Sequence, residues 1–318
     1  MKTCIFNVRA VVVCILFLGA SAAFSCAQSE LVNEWTATVG SHYIVHPDQT
    51  YGFQSNIALK LDVWELKENE KPLPTVIYIH GGGWLYGDRT GALPQLLPYF
   101  ARGWNVVNVE YRMSGQSLAP AAVDDCVCAL RWVYRNAKQF HFDLDRLIVT
   151  GHSAGGHLAL MVGMFDSSSG LDHGCPPDPA WGDVPLQVAA VVNWYGISDV
   201  NDLLAGPNRK SYAISWLGDQ ENISAIAKKV SPLSYVRPGS PAIITIHGDS
   251  DDVVPYSQSV RLHEALTKAG VKNELVTITG GTHGWFRDQQ TLAAYDKIWK
   301  FLAANVPGLN LDAPARGK

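Results

Sequence analysis

Charge is thin along this chain: only 17% of its 318 residues are charged, and 25 Lys and Arg stand against 29 Asp and Glu. Neither sign forms a stripe. That excludes the basic footprint of a nucleic-acid binder and the polybasic patch that docks on an anionic membrane surface. Internal repeats and low-complexity tracts are missing, so solenoid arrays are excluded. Phosphate and metal motifs are missing as well. There is no G-x-G-x-x-G with a later ribose carboxylate, no GK[ST], no H-E-x-x-H and no Cys/His cluster at zinc spacing. No cofactor and no metal are expected. Cysteine is sparse at six residues. Cys4, Cys14 and Cys26 fall in the N-terminal segment, which leaves Cys126, Cys128 and Cys175. Cys126 and Cys128 stand two apart on a predicted helix and point to different faces, so they are not expected to bridge each other. No disulfide framework is expected, and stability falls to the core.

What is present begins with Lys2 and Arg9, the apolar run AVVVCILFLGA (10–20) and the small-residue stretch SAAFSCAQS (21–29). A charged start, a short apolar centre and small residues read as a secretory signal over 1–27. The run is too short to span a bilayer comfortably. Cleavage after Ala27, or before Cys26 with lipid on that cysteine, would leave an exported domain over 28–318. With 47% hydrophobic residues, that length can bury one large core.

WTATVG, HYIVHP and IALKLDVWEL (57–66) alternate and suggest an antiparallel N-terminal ribbon. From Pro74 onward the pattern changes. TVIYIHGGGW (75–84), WNVVNVEYRM (104–113), RLIVTGHS (146–153), QVAAVVNWYG (187–196), PAIITIHGD (241–249) and NELVTITGG (273–281) each hold a short continuous apolar core. Such runs suit strands of a parallel sheet covered on both faces. Helical segments separate them, over 121–140, 257–270 and 291–308. In the first, Pro120 opens the helix and Asp124 and Asp125 occupy the first turn, where the helix dipole favours them. Strands alternating with helices predict an open α/β sheet with right-handed crossovers. Chemistry in such sheets gathers at the carboxyl ends of the strands.

Gly151-His152-Ser153-Ala154-Gly155 stands at one of those ends and fits G-x-S-x-G. Its glycines allow a tight strand-to-helix turn that lifts the serine oxygen clear of the sheet. The helix starting at Ala154 directs free N–H groups toward developing negative charge. His80-Gly81-Gly82-Gly83-Trp84 ends another strand. Its bare backbone can approach an oxyanion, so Gly82, Gly83 and Ala154 are the candidate N–H donors. His80 is assigned to shaping that loop.

Ser153 needs a base, and the base needs an orienting acid. His283 follows the last strand between Gly281 and Gly284, which places the base in the chain order nucleophile, acid, base. His42, His46, His141, His173 and His263 fall in loops, turns or helix surfaces, and His247 is a strand-end counterpart of His80. For the acid, spacing leaves Asp199, Asp249, Asp251 and Asp252 open.

HGGGW (80–84), VEYR (109–112), AAVDD (121–125), GHSAGGHLAL (151–160), HGDSDDVVP (247–255) and GGTHGW (280–285) together resemble the α/β-hydrolase fold. More narrowly they resemble the esterase branch related to hormone-sensitive lipase and to bacterial feruloyl and acetyl esterases, over about Leu61 to Leu302. The resemblance implies Asp251 as the acid, from the fifth position of H-G-x-x-D-x-x-V-P. It also implies a serine hydrolase of carboxylic esters, with acyl groups on carbohydrates as a substrate class. His152 stands where many relatives have an aspartate, and Ser114-Gly115-Gln116 departs from the family's usual loop.

The connection from Gly196 to Pro241 leaves a strand's carboxyl end and is expected to form a small cap over about 197–240. Tyr212, Trp216 and Leu217 are candidate wall residues, or anchors of the cap to the core. Trp84, Tyr195, Trp216 and Trp285 are candidate substrate contacts. The Pro-rich loop around Cys175 is expected on the far side of the sheet, away from Cys126. The rival chemistries are amide or peptide cleavage and an arylformamidase-like reaction. The rival of another class is a non-catalytic binding protein that retains the fold. The expected partner is a small-molecule or carbohydrate-linked ester, with neither nucleic acid nor a transmembrane span.

Overall fold

The computed structural model describes residues 40–172, 174–175, 186–309 and 311. The signal expected over 1–27 lies outside the described residues. The chain divides into a short unit, Met1–Tyr43, and a large one, Ile44–Lys318, which carries all that follows.

Eight strands form one sheet in the order β1-β2-β4-β3-β5-β6-β7-β8. β1 (Tyr43–Gln54) and β2 (Ile57–Leu66) are joined by Ser55 and Asn56, both at positive φ. Two left-handed residues are what a tight two-residue hairpin requires, so HYIVHP and IALKLDVWEL form the expected ribbon, while WTATVG, apart from Gly40, lies outside the described residues. β2 pairs antiparallel with β4 (Asn105–Val109). From there β3 (Leu73–Ile79), β5 (Phe142–His152), β6 (Ala190–Trp194), β7 (Ala242–Gly248) and β8 (Asn273–Ile278) run parallel. β4, β6 and β7 are buried at every residue. That explains why their sequences read as unbroken apolar runs rather than as alternation.

Both faces are covered. α1 (Leu93–Phe100) and α7 (Asp288–Asn305) meet on one face, where Tyr99 packs edge-on against Trp299. α2 (Ala121–Asn136) and α3 (Ala154–Gly163) share a core with Ile77, Ile79 and Val149 of the sheet. Between β6 and β7 lie α4 (Ser211–Leu217) and α5 (Ile223–Lys229), and α6 (Ser257–Lys268) follows β7. No helix among the described residues is long and apolar enough to cross a membrane.

Three expectations need correction. Residues 137–140 do not continue α2, which ends at Asn136. Asp125 does not serve the helix dipole. It lies buried and grips Arg112 through both carboxylate oxygens, at 2.7 and 2.8 Å, and also accepts the Arg112 backbone N–H at 3.0 Å. A buried carboxylate needs such a fork-shaped partner. The third concerns cysteine, because Cys128 and Cys175 form a disulfide. The loop after α3 returns beside α2, where Asp172 pairs with Arg131 one turn beyond Cys128, and Gln54 donates to the Gly174 carbonyl. Cys126 points the other way, stays buried and remains free.

Candidate active site

β5 ends at His152, and Ser153 follows at φ 57° and ψ −120°, directly before α3. A side chain rarely occupies that region, and residues held there mark functional sites. The turn survives because its neighbours are bare. A Cβ on Gly151 or Gly155 would collide with the carbonyl oxygen of Ile79, on the adjoining strand. The Ser153 N–H donates to the Trp194 carbonyl at 2.9 Å, and the Ser153 carbonyl accepts from His157 N–H at 3.0 Å.

The loops after β7 and β8 deliver the other two groups. His283 Nε2 lies 2.9 Å from Ser153 Oγ, and His283 Nδ1 lies 2.7 Å from Asp251 Oδ2. A carboxylate only accepts, so Nδ1 carries the proton and Nε2 faces the serine as an acceptor. The Asp251 side chain is fully buried. Burial alone would raise its pKa, but hydrogen bonds from His247 and His283 outweigh burial and hold it well below the usual carboxylate range. Its second oxygen accepts the N–H groups of Val253 and Val254, each at 2.8 Å.

The competing aspartates are engaged elsewhere. Asp249 is exposed and accepts from the Gly280 N–H at 2.7 Å. Asp252 is exposed. Asp199 pairs with Arg261 at 2.9 Å. Asp251 alone of the four meets His283.

His247 is a residue that strand-end reasoning missed. Its Nε2 lies 3.2 Å from Asp251 Oδ2 and 3.1 Å from the Val254 carbonyl, and its Nδ1 lies 2.6 Å from Ser259 Oγ. The available signal was its place four residues before Asp251 in HGDSD. His152 is also explained. Its ring stacks on Trp194 at 5.2 Å and lies near Tyr78 and Tyr195. Burial first, and the nearby His283 second, push its pKa down to about 3. It is therefore a neutral aromatic filler.

The glycine loop runs against the serine turn: a Cβ on Gly81 would come within 3.5 Å of Ser153 Cβ. Gly82, Gly83 and Trp84 all have positive φ. His80 stacks on Tyr111 at 4.4 Å, and its Nδ1 donates to the Gly81 carbonyl at 2.8 Å.

Of the four candidate substrate contacts, two are corrected. Trp84 and Trp216 have no exposed surface and stack on each other at 4.1 Å. They face the interior, where their rings cover each other and the Trp84 N–H finds an acceptor in His157 Nδ1 at 3.1 Å, while the Trp216 N–H is buried without one. Leu217 is likewise buried. Tyr195 packs edge-on against the His283 ring at 4.7 Å and backs the histidine from beneath. Trp285 is 86% exposed and Tyr86, in the glycine loop, is 70% exposed.

A mostly parallel sheet with a serine on the turn after β5, an acid after β7 and a histidine after β8 defines the α/β-hydrolase class. The BD-FAE family model matches residues 61–266, and the chain belongs to that family. Esterase LipQ of Mycobacterium tuberculosis is 28% identical over 219 residues, 66% of this chain and 50% of LipQ. The chain thus spans about half the length of the curated relatives it matches. Among solved structures, a truncated carbohydrate esterase from gut microbiota superposes with a TM-score of 0.69 at 26% identity, covering 82% of this chain and 97% of that one. The native esterase Est2 of Thermogutta terrifontis gives 0.67 at 26% identity, covering 83% and 94%. The domain shared with these relatives is of the carboxylic ester hydrolase class.

Proposed function

We propose that this protein cleaves carboxylic esters through an acyl-enzyme on Ser153. The observation that carries the reading is the unbroken hydrogen-bond line from Asp251 through His283 to the serine oxygen. His283 Nε2 takes the Ser153 proton as Oγ attacks the acyl carbonyl. The N–H groups of Gly82, Gly83 and Ala154 receive the oxyanion. His283 then gives its proton to the departing alcohol oxygen, and water repeats the sequence to free the acid. Asp251 stays ionised, fixes the tautomer and stabilises the imidazolium. The segment 197–240 acts as a cap beside this site.

Acyl groups on carbohydrates are the proposed substrate class. The support is the exposed Tyr86 and Trp285 on the loops that also hold the oxyanion donors and the base, together with the likeness to a carbohydrate esterase from gut microbiota. Flat exposed rings suit amphipathic ligands. Export is proposed as well, supported by the charged and apolar N-terminus and by the Cys128–Cys175 disulfide, which suits an oxidising compartment.

The test is Ser153→Ala assayed on p-nitrophenyl acetate, a feruloyl ester and an acetylated sugar, beside a formylated aniline and a dipeptide anilide. Loss of ester turnover by several orders of magnitude is expected. Unchanged ester turnover would refute the mechanism, and preference for an amide would refute the substrate class.

A further inference from the structure

A buried group that the proposed chemistry does not use sits at the join of three segments. His157, in the first turn of α3, is fully buried. Its Nδ1 lies 3.1 Å from Trp84 Nε1 and its Nε2 lies 2.7 Å from the Val230 carbonyl. The partners fix the tautomer. A carbonyl only accepts, so Nε2 carries the proton, while the indole N–H only donates, so Nδ1 must be bare. A protonated ring would set two N–H groups against each other at Trp84. Burial disfavours that form and lowers the pKa of His157.

Trp84 closes the glycine loop. It sits at φ 61°, directly after Gly82 at φ 115° and Gly83 at φ 62°. Glycine adopts positive φ freely, so the loop's shape depends on what holds it. Backbone bonds hold part of it, from Leu85 and Tyr86 N–H to the Gly82 carbonyl at 3.0 and 3.2 Å and from Ser114 N–H to the Trp84 carbonyl at 2.9 Å. The rest is on the Trp84 ring: Trp216 of α4 stacks on one face at 4.1 Å and 15°, and His157 meets it edge-on at 4.9 Å and 86°. The His157 hydrogen bond is directional, whereas the stacking is not, so it sets the rotation of the indole and with it the two peptides before it. Val230 and Trp216 both belong to the connection between β6 and β7.

We infer that His157 is a positioning residue for the reaction, holding the Gly82 and Gly83 amides in register with Ser153 through its hydrogen bond to Trp84. Its ring does not bond to Ser153 Oγ, and its backbone N–H donates to the Ser153 carbonyl as part of the helix start. The inference rests on the proposed ester hydrolysis at Ser153, and its test is arranged so that the two can fail separately.

Two variants probe the link from opposite ends. His157→Phe keeps a ring but removes the acceptor, and Trp84→Phe keeps an aromatic face toward Trp216 but removes the donor. Each is titrated to completion with a fluorophosphonate, so that turnover counts only folded, reactive serines. Per titrated serine, each should lose about 10²-fold in kcat on p-nitrophenyl acetate with KM moved by less than about threefold, the scale of losing one oxyanion donor. The double variant should lose no more than the worse single variant, because both remove the same bond. Unchanged kcat per titrated serine in Trp84→Phe would overturn the inference, as would fully additive losses. Failure of the underlying reading shows differently: Ser153→Ala would keep its ester turnover. If His157→Phe does not fold, Trp84→Phe still decides.

Discussion

The two sides of Ser153 are built from different materials. On one side, the loops after β7 and β8 present side chains in a line, Asp251 to His283, and these are groups whose chemistry is visible in their names. On the other side, the glycine loop presents backbone, shaped by buried indoles and a histidine that never reach the substrate. The first side is specified by residue identity and the second by packing. Substitutions should therefore separate chemistry from stability according to side.

The largest separation is expected at the acid. Asp251→Asn should lower kcat about 10³- to 10⁴-fold by admitting the wrong His283 tautomer. Asp249→Asn and Asp252→Asn should stay within about twofold, since neither touches the histidine. Equal losses at all three would erase the distinction that the Asp251 geometry draws.

Stability should reverse the ranking. Trp216→Ala removes a fully buried ring and should cost about 3–5 kcal/mol in urea unfolding. His283→Ala, in a partly exposed loop, takes one donor from buried Asp251 and should cost less, about 1–2 kcal/mol, while abolishing turnover. If the two cost the same, the division between the sides does not hold.

Acid sharpens the comparison further. The pKa of His157 is lowered by burial from its ordinary 6.5 to about 4. In that interval the unfolded chain binds a proton that the folded one refuses. Stability is therefore full above about pH 6.5 and falls as pH drops toward 4, by on the order of a few kcal/mol. Asp251, whose pKa lies below the usual carboxylate range, contributes its own loss only at lower pH still. Urea titrations from pH 7 to 4 should show a smaller loss in His157→Phe than in the native protein, the remainder belonging to His152, His80 and His263, whose pKa values burial also lowers.

The smallest effect is expected at the rim. Trp285→Ala should leave the melting temperature alone, and should raise KM about three- to tenfold on an acylated oligosaccharide, more than on p-nitrophenyl acetate. Equal KM values for native and variant protein on the sugar ester would remove Trp285 from the binding surface.

The same division explains what was legible in the sequence. The buried strands of the sheet could be read because parallel strands covered on both faces leave continuous apolar runs, and the serine turn because its glycines are demanded by backbone collisions. Helix α1 was not anticipated. Its sequence, LPQLLPYF, carries Pro94 at the start and Pro98 inside, and local propensity argues against a helix that tertiary packing on β4 and α7 stabilises. Spacing alone left four aspartates open, because the shelter given by Val253 and Val254 N–H groups exists only after the loop folds. Trp84 and Trp216 were placed at the substrate because an aromatic beside a glycine loop has no sequence mark telling inside from outside. The Cys128–Cys175 pairing was hidden for a similar reason: the path of the loop after α3 depends on ion pairs and hydrogen bonds to α2 and β1.

That cross-link has a consequence for the strained turn. Cys128 and Cys175 are 47 residues apart, and the span between them contains all of β5, Ser153 and α3. Even when every weak bond has melted, the segment bearing the nucleophile remains a covalent ring. Chain-closure entropy alone makes such a ring worth about 4 kcal/mol. Opening it with a thiol would free the unfolded chain across the segment that holds the strained Ser153 turn.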